Sequence, residues 1–320
     1  LRQGRFRRWR GCKVIKSAYF RVRRLSEAGW HQAKSRFFRT YDQVREFLIE
    51  LDAQTRPERV RNRRSSEAAT RQKRSPATQP PRETHVPPDT RVYAVGDIHG
   101  RADLLFKLMD KIEEDAEAAD ETRIVLIFLG DYVDRGFQSK EVIDFLLSDD
   151  LSRYETYFLK GNHEAAFETF LSDSTFGPQW ARFGGAETLM SYGIQPPRAK
   201  TQASEWEAVC QQLNDALPNE HRSFLSSLSL YATLGDYVFV HAGLRPGQAL
   251  EHQTEKDILW IREEFHKHEG TFERVVVHGH TPISEPHQDF RRIGIDTGAY
   301  LTGKLTAACL VGSSVTFLST

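Results

Sequence analysis

The chain has 320 residues, of which 39% are apolar and 28% charged, enough for one large domain with an appendage or for two modest domains. No apolar run approaches the roughly 18 residues that a membrane-spanning helix needs, and the longest, Ile124–Leu129, is strand-sized. Three widely spaced cysteines, Cys12, Cys210 and Cys309, exclude a disulfide-stapled fold and a paired-cysteine zinc site, so a reducing, cytoplasmic setting is expected.

The formal net charge of zero averages two unlike regions. Residues 1–91 hold 24 Lys and Arg against 9 Asp and Glu, while the remainder holds 20 against 35. Residues 1–64 read as a basic, largely disordered N-terminal extension. Its first 26 residues carry ten Lys and Arg and no acid, as an organelle transit segment does. Within it, Phe37, Tyr41, Val44, Leu48 and Leu51 recur at helical spacing, which predicts an amphipathic helix over about 35–51. Nucleic acid or anionic lipid would be held there by counterion release, and a solvated extension is the alternative. Residues 65–90 contain five of the 13 prolines and one large aliphatic residue, Val86, and read as a linker.

From residue 91 to 320 the texture becomes strand, turn and helix. Strands are expected at Val92–Val95, Ile124–Leu129 and Tyr154–Leu159, with helices at Leu104–Glu117 and Glu141–Leu147. Residues 163–230 look mostly helical. Further strands are expected at Tyr237–Val240, Val275–Val277, Ile293–Ile295, Leu305–Val311 and Val315–Leu318. Such alternation predicts a layered α/β domain.

Five polar blocks each follow one of these apolar runs: Gly96-Asp97-Ile98-His99-Gly100, Gly130-Asp131-Tyr132-Val133-Asp134-Arg135-Gly136, Gly161-Asn162-His163-Glu164, His241-Ala242-Gly243 and Gly279-His280-Thr281. Loops after strands are where α/β sheets place ligands. Asp97 and His99, two residues apart, point to one side of a strand end. Asp131 can bridge two ions through its two oxygens, with Asn162, His241 and His280 completing the second. Oxygen and imidazole ligands suit manganese, iron, zinc or cobalt rather than calcium. Two such ions clamp a phosphoryl group and acidify water. Arg135 offers a fork for phosphate oxygens. His163 can protonate a leaving oxygen, and Asp134 can hold its tautomer. Arg101 is a further candidate for substrate contact, with a solvated arginine as the alternative. Trp180, Phe183 and Leu189 are assigned to the core, and the remaining histidines to surface or packing.

The ordered set of blocks resembles the phosphoprotein phosphatase family of metallophosphoesterases, in its bacterial and phage lambda-type serine/threonine phosphatase branch, over about residues 91–320. The resemblance implies a calcineurin-like α/β/β/α sandwich with mixed sheets and a dinuclear centre. Asp97, His99 and Asp131 would hold one ion and Asp131, Asn162, His241 and His280 the other, with manganese the expected metal. Arg262, in Trp260-Ile261-Arg262-Glu263, would be a second phosphate arginine beside Arg135. The implied activity is hydrolysis of phosphoserine and phosphothreonine in a phosphoprotein by direct attack of a metal-bridged hydroxide. Asp134 and Glu164 favour this over the alternative, symmetrical dinucleoside tetraphosphate hydrolysis. A non-catalytic scaffold with a basic arm is the third reading. The segment 176–230 belongs to the bacterial branch and would shape the substrate groove, and Thr302 stands where related enzymes carry a cysteine.

Overall fold

In the computed structural model, residues 83–198 and 202–320 are described. The basic extension, the helix expected over 35–51 and most of the linker lie outside them.

Five strands carry apolar runs with almost no polar interruption, and the architecture explains why. Strand β1 (Thr90–Val95) lies parallel to β2 (Arg123–Phe128), and β2 lies parallel to β3 (Glu155–Phe158). On the other side of β1, β9 (Thr306–Val311) and β10 (Ser314–Ser319) add antiparallel, giving the order β10-β9-β1-β2-β3. A second sheet runs β4-β5-β6-β8-β7, from β4 (Tyr231–Leu234), β5 (Tyr237–Val240), β6 (Val275–His278), β7 (His287–Gln288) and β8 (Arg292–Gly294). Its inner strands β5, β6 and β8 are parallel and its edges antiparallel.

Period-two alternation divides β1 between two cores. Val92 and Ala94 join Val125, Ile127, Phe239, Val277 and Ile293 in the layer between the sheets. Tyr93 and Val95 face outward to helix α1 (Ala102–Glu117) and helix α2 (Ser139–Leu146), packing with Leu105, Leu108, Val142 and Ile143. Val238, Val240 and Val276 cover the far face of the second sheet against Ile258, Leu259 and Phe265. Sheets buried on both faces demand such continuous apolar strands, and the layers are helix, sheet, sheet, helix.

Between the sheets in sequence, helix α3 (Asn162–Ser172) is followed by a helical turn, Gly177–Trp180, and by α4 (Ala186–Ser191), α5 (Ala203–Ala216) and α6 (Asn219–Ser227). Trp180 stacks on Phe167 at 5.4 Å and on Phe170 at 4.7 Å. Trp180 and Leu189 are therefore core, as expected, but Phe183 is 51% exposed.

Two further differences have physical reasons. The last residues assigned to the linker are packed, because Val86 is buried and its N–H donates to Gly312 O at 3.1 Å. His85 and Asp236 exchange hydrogen bonds of 3.0 and 2.9 Å. Strand β4 is absent from the sequence reading because a four-residue edge strand with mixed exposure leaves little periodic signal.

Candidate active site

All five polar blocks sit at carboxyl ends of strands, and the backbone there is strained. Among the described non-glycine residues, positive φ occurs at His99, Asp131, Asp134, Arg135 and His280, and elsewhere only at Asp89. Such conformations persist where the surroundings over-determine them. The flanking glycines are required by close approach. A Cβ on Gly161 would lie 2.2 Å from Asp131 Oδ1, and one on Gly279 would lie 2.1 Å from Asp97 Oδ1.

The structure brings Asp97, His99, Asp131, Asn162, His163, His241 and His280 together, each less than 7% exposed. His99 Nδ1–H donates to Val133 O at 3.0 Å, leaving the Nε2 lone pair 3.4 Å from Asp131 Oδ2. His241 Nδ1–H likewise donates to Leu129 O at 2.9 Å. Its Nε2 lies 2.9 Å from Asn162 Oδ1, 3.2 Å from His280 Nδ1 and 3.4 Å from Asp131 Oδ1. His280 Nδ1 is 2.8 Å from Asn162 Oδ1, and His280 Nε2 is buried with no partner.

This donor set fits divalent metal. Four heteroatoms converge on one point with at most one proton among them, and their spacing matches the roughly 3 Å between neighbouring ligands of an ion bound at about 2.1 Å. Two buried groups with ligand atoms within 4.8 Å of one another share Asp131: His99, Asp131 and His163, and Asp131, His241 and His280. His163 thus stands in the first group where the sequence reading put Asp97. The Asp97 carboxylate accepts from His280 N at 3.0 Å and borders the group.

The electrostatics point the same way. Burial, followed by the facing carboxylates of Asp296 and Asp131, pushes Asp97 well above the usual carboxyl range. Burial raises Asp296 to about 6. Burial lowers His99 and His241, and takes His280 down to about 2. Burial opposes ionisation of Asp131 too, yet the surrounding imidazoles hold its carboxyl well below its normal value. Crowded carboxylates and imidazoles buried together are a pattern that bound cations relieve.

Next to this cluster lies a second arrangement. His163 Nδ1–H donates to Asp134 Oδ2 at 2.7 Å. The same carboxylate accepts from Trp180 Nε1 at 3.0 Å and from Thr188 Oγ1 at 2.6 Å. Arg135 Nη2 donates to His163 Nε2 at 3.1 Å. Arg262 is exposed overall, yet partial desolvation of its guanidinium and the charge of Arg135 lower its pKa, while Asp131, Asp296 and Asp97 oppose them. Its neighbour Trp260 is 49% exposed, with its ring centroid 6.4 Å from that of His280.

Three residues carry a different role from the sequence reading. Glu164, read as a mark of substrate preference, is fully buried and accepts from the N–H groups of Asp131, Tyr132, Val133 and Gly161 at 2.8–3.3 Å. It therefore fixes the loop and meets no substrate. Burial, then Asp131, raises it to about 8. Arg101 donates to Asp103 at 2.7 and 2.8 Å and to Ala299 O at 3.0 Å, so these bonds tie it to the protein. Asp296 joins the cluster although sequence reasoning assigned it no role. Its signal was the same grammar, an apolar strand followed by Asp-Thr-Gly. Trp180 and Thr188 gave no such signal, because only tertiary approach places them on Asp134.

The chain is 27% identical to the bis(5'-nucleosyl)-tetraphosphatase PrpE (asymmetrical) of Anoxybacillus flavithermus, over 67% of this chain and 87% of that protein. It is 25% identical to the protein of that name from Halalkalibacterium halodurans, with the same coverage. A solved metallophosphoesterase from Sphaerobacter thermophilus aligns over 72% of this chain and 88% of its own at 17% identity and a TM-score of 0.41. The family model of calcineurin-like phosphoesterases matches residues 90–308, and the chain belongs to that family.

Proposed function

We propose that this metal-dependent phosphoesterase hydrolyses phosphate monoesters with alkoxide leaving groups, as in phosphoserine and phosphothreonine. The observation carrying this reading is the buried Asp134–His163 pair. An alkoxide is a strong base and departs slowly unless protonated, whereas a departing phosphate or nucleotide is stable without a proton. A site that buries a carboxylate and holds it with two further donors, Trp180 and Thr188, to orient one imidazole is suited to the harder leaving group.

Asp97, His99, Asp131, Asn162, His241 and His280 are the residues to hold two divalent ions. Bound there, the ions would supply Lewis acidity toward phosphoryl oxygens and acidify the attacking water. Arg135 and Arg262 neutralise the remaining phosphoryl oxygens. Asp134 keeps the proton of His163 on Nδ1, so that Nε2 faces the substrate. Arg135 donates to that nitrogen; when Arg135 turns instead to a phosphate oxygen, Nε2 takes up a proton from solvent, and the imidazolium, held by Asp134, delivers it to the leaving oxygen. Manganese remains the metal to supply first.

A second reading comes from the relatives. Those named above are dinucleoside tetraphosphatases of the asymmetrical kind, so diadenosine tetraphosphate is the rival substrate, cleaved asymmetrically rather than symmetrically. The test is kcat/KM of the manganese-loaded protein on a phosphoserine/phosphothreonine peptide and on diadenosine tetraphosphate, with the nucleotide products identified. Faster peptide dephosphorylation supports the proposal. Faster dinucleotide cleavage, giving AMP and ATP, overturns it in favour of the rival.

A further inference from the structure

Arg135 is surrounded by buried acids, yet among the described residues no carboxylate lies within ion-pair distance of its guanidinium. Its backbone is fixed, with φ 69° and its N–H donating to Gly184 O at 3.1 Å. Its guanidinium donates to His163 Nε2 at 3.1 Å and lies over the face of Tyr300, whose ring centroid is 4.5 Å from the guanidinium carbon. Neither partner is a carboxylate, so the guanidinium is held without a direct ion pair.

Tyr300 is itself firmly placed. Its ring stands edge-on to His99, with centroids 5.2 Å apart and planes at 83°. It sits in the short helical turn Ala299–Thr302, entered through Gly298 at φ 67°. Gly298 N donates to Asp296 Oδ1 at 2.9 Å, Thr302 Oγ1 donates to Thr297 O at 2.8 Å, and Arg101 Nη1 donates to Ala299 O at 3.0 Å. Arg101 and Asp296, which the proposed chemistry does not use, thereby anchor the turn that presents the ring.

We propose that Tyr300 is a positioning residue for Arg135, its ring face holding the guanidinium beside the phosphoryl position without an ion pair. A carboxylate partner would have to be given up when phosphate binds. A ring face keeps its attraction while the guanidinium shifts from His163 to a phosphate oxygen. The inference rests on the phosphoesterase reading only in requiring a phosphoryl ligand.

The test is calorimetric binding of inorganic phosphate to the manganese-loaded full chain, with metal content and circular dichroism measured for every variant. Tyr300→Leu should weaken phosphate binding about 3–30-fold, as expected for loss of one cation–π contact, with metal content unchanged. Tyr300→Phe and Tyr300→Trp should stay within about threefold, since both keep a ring face. In an Arg135→Ala background Tyr300→Leu should have no further effect. Wild-type affinity in Tyr300→Leu, or an undiminished effect in the Arg135→Ala background, would overturn the proposal. If Tyr300→Leu does not fold, the ring series decides, because a tenfold loss in Tyr300→Phe would assign the role to the hydroxyl. A wild-type protein that binds no phosphate would overturn the phosphoesterase reading itself, a result distinct from equal binding by wild type and Tyr300→Leu.

Discussion

His163→Asn should cost far more on one kind of leaving group than on another. His163 Nδ1 is 2.7 Å from Asp134 Oδ2, and the two side chains are 3% and 0% exposed, so solvent screens the pair little. Trp180 and Thr188 hold the carboxylate from its other sides, which fixes the imidazole plane. A general acid so placed contributes roughly 10²–10⁴-fold, or about 3–5 kcal/mol at 1.36 kcal/mol per decade. A serine alkoxide needs that whole contribution. A 4-nitrophenolate leaves as a weak base, so the loss there should stay below about tenfold. The assay is kcat on a phosphoserine peptide and on 4-nitrophenyl phosphate, with metal content confirmed for each protein. Equal losses on both substrates would refute the acid role and place His163 in phosphate or metal binding instead.

Four other outcomes are expected. Trp180→Phe keeps the stack on Phe167 and Phe170 but removes the donor to Asp134, a bond worth about 1.5–3 kcal/mol to a charged group; kcat on the phosphoserine peptide should fall about tenfold or more with metal content unchanged. Glu164→Gln sets an amide NH₂ against a backbone N–H whichever way it turns, so the melting temperature and metal affinity should both fall, by about 1–3 kcal/mol of stability. Gly279→Ala drives a Cβ into Asp97, and elemental analysis should show metal loss at normal circular dichroism. Glu187 is raised by burial to about 7. Its folded form therefore binds more protons than its unfolded form, and the stability it contributes is full below about pH 4.5 and lost as pH rises through 7. Glu187→Gln should flatten that part of the melting temperature–pH curve.

The sequence made the strands legible where burial on both faces forces an unbroken apolar run, as in Val92–Val95 and Ile124–Leu129. It made the site legible because glycine, aspartate and histidine follow those runs in a fixed order. What it hid depends on contacts across long stretches of chain. Trp180 and Thr188 reach Asp134 from 46 and 54 residues away, and their local pattern is that of ordinary core. Glu164 could be seen but not interpreted, since its four N–H partners lie mostly in another loop. Arg101 and Tyr300 are neighbours only through the turn after β8. Strand β4 and the packed residues around Val86 are short, and neither carries a periodic signal of its own.

The claim on which the account depends is that one buried carboxylate, Asp131, joins two metal groups. Metal analysis of the purified full chain, wild type beside Asp131→Ala, tests it most directly. The account predicts two divalent ions per wild-type chain and loss of both in Asp131→Ala, with the fold retained by circular dichroism. A single ion in the wild type, or two ions still bound in Asp131→Ala, would contradict it.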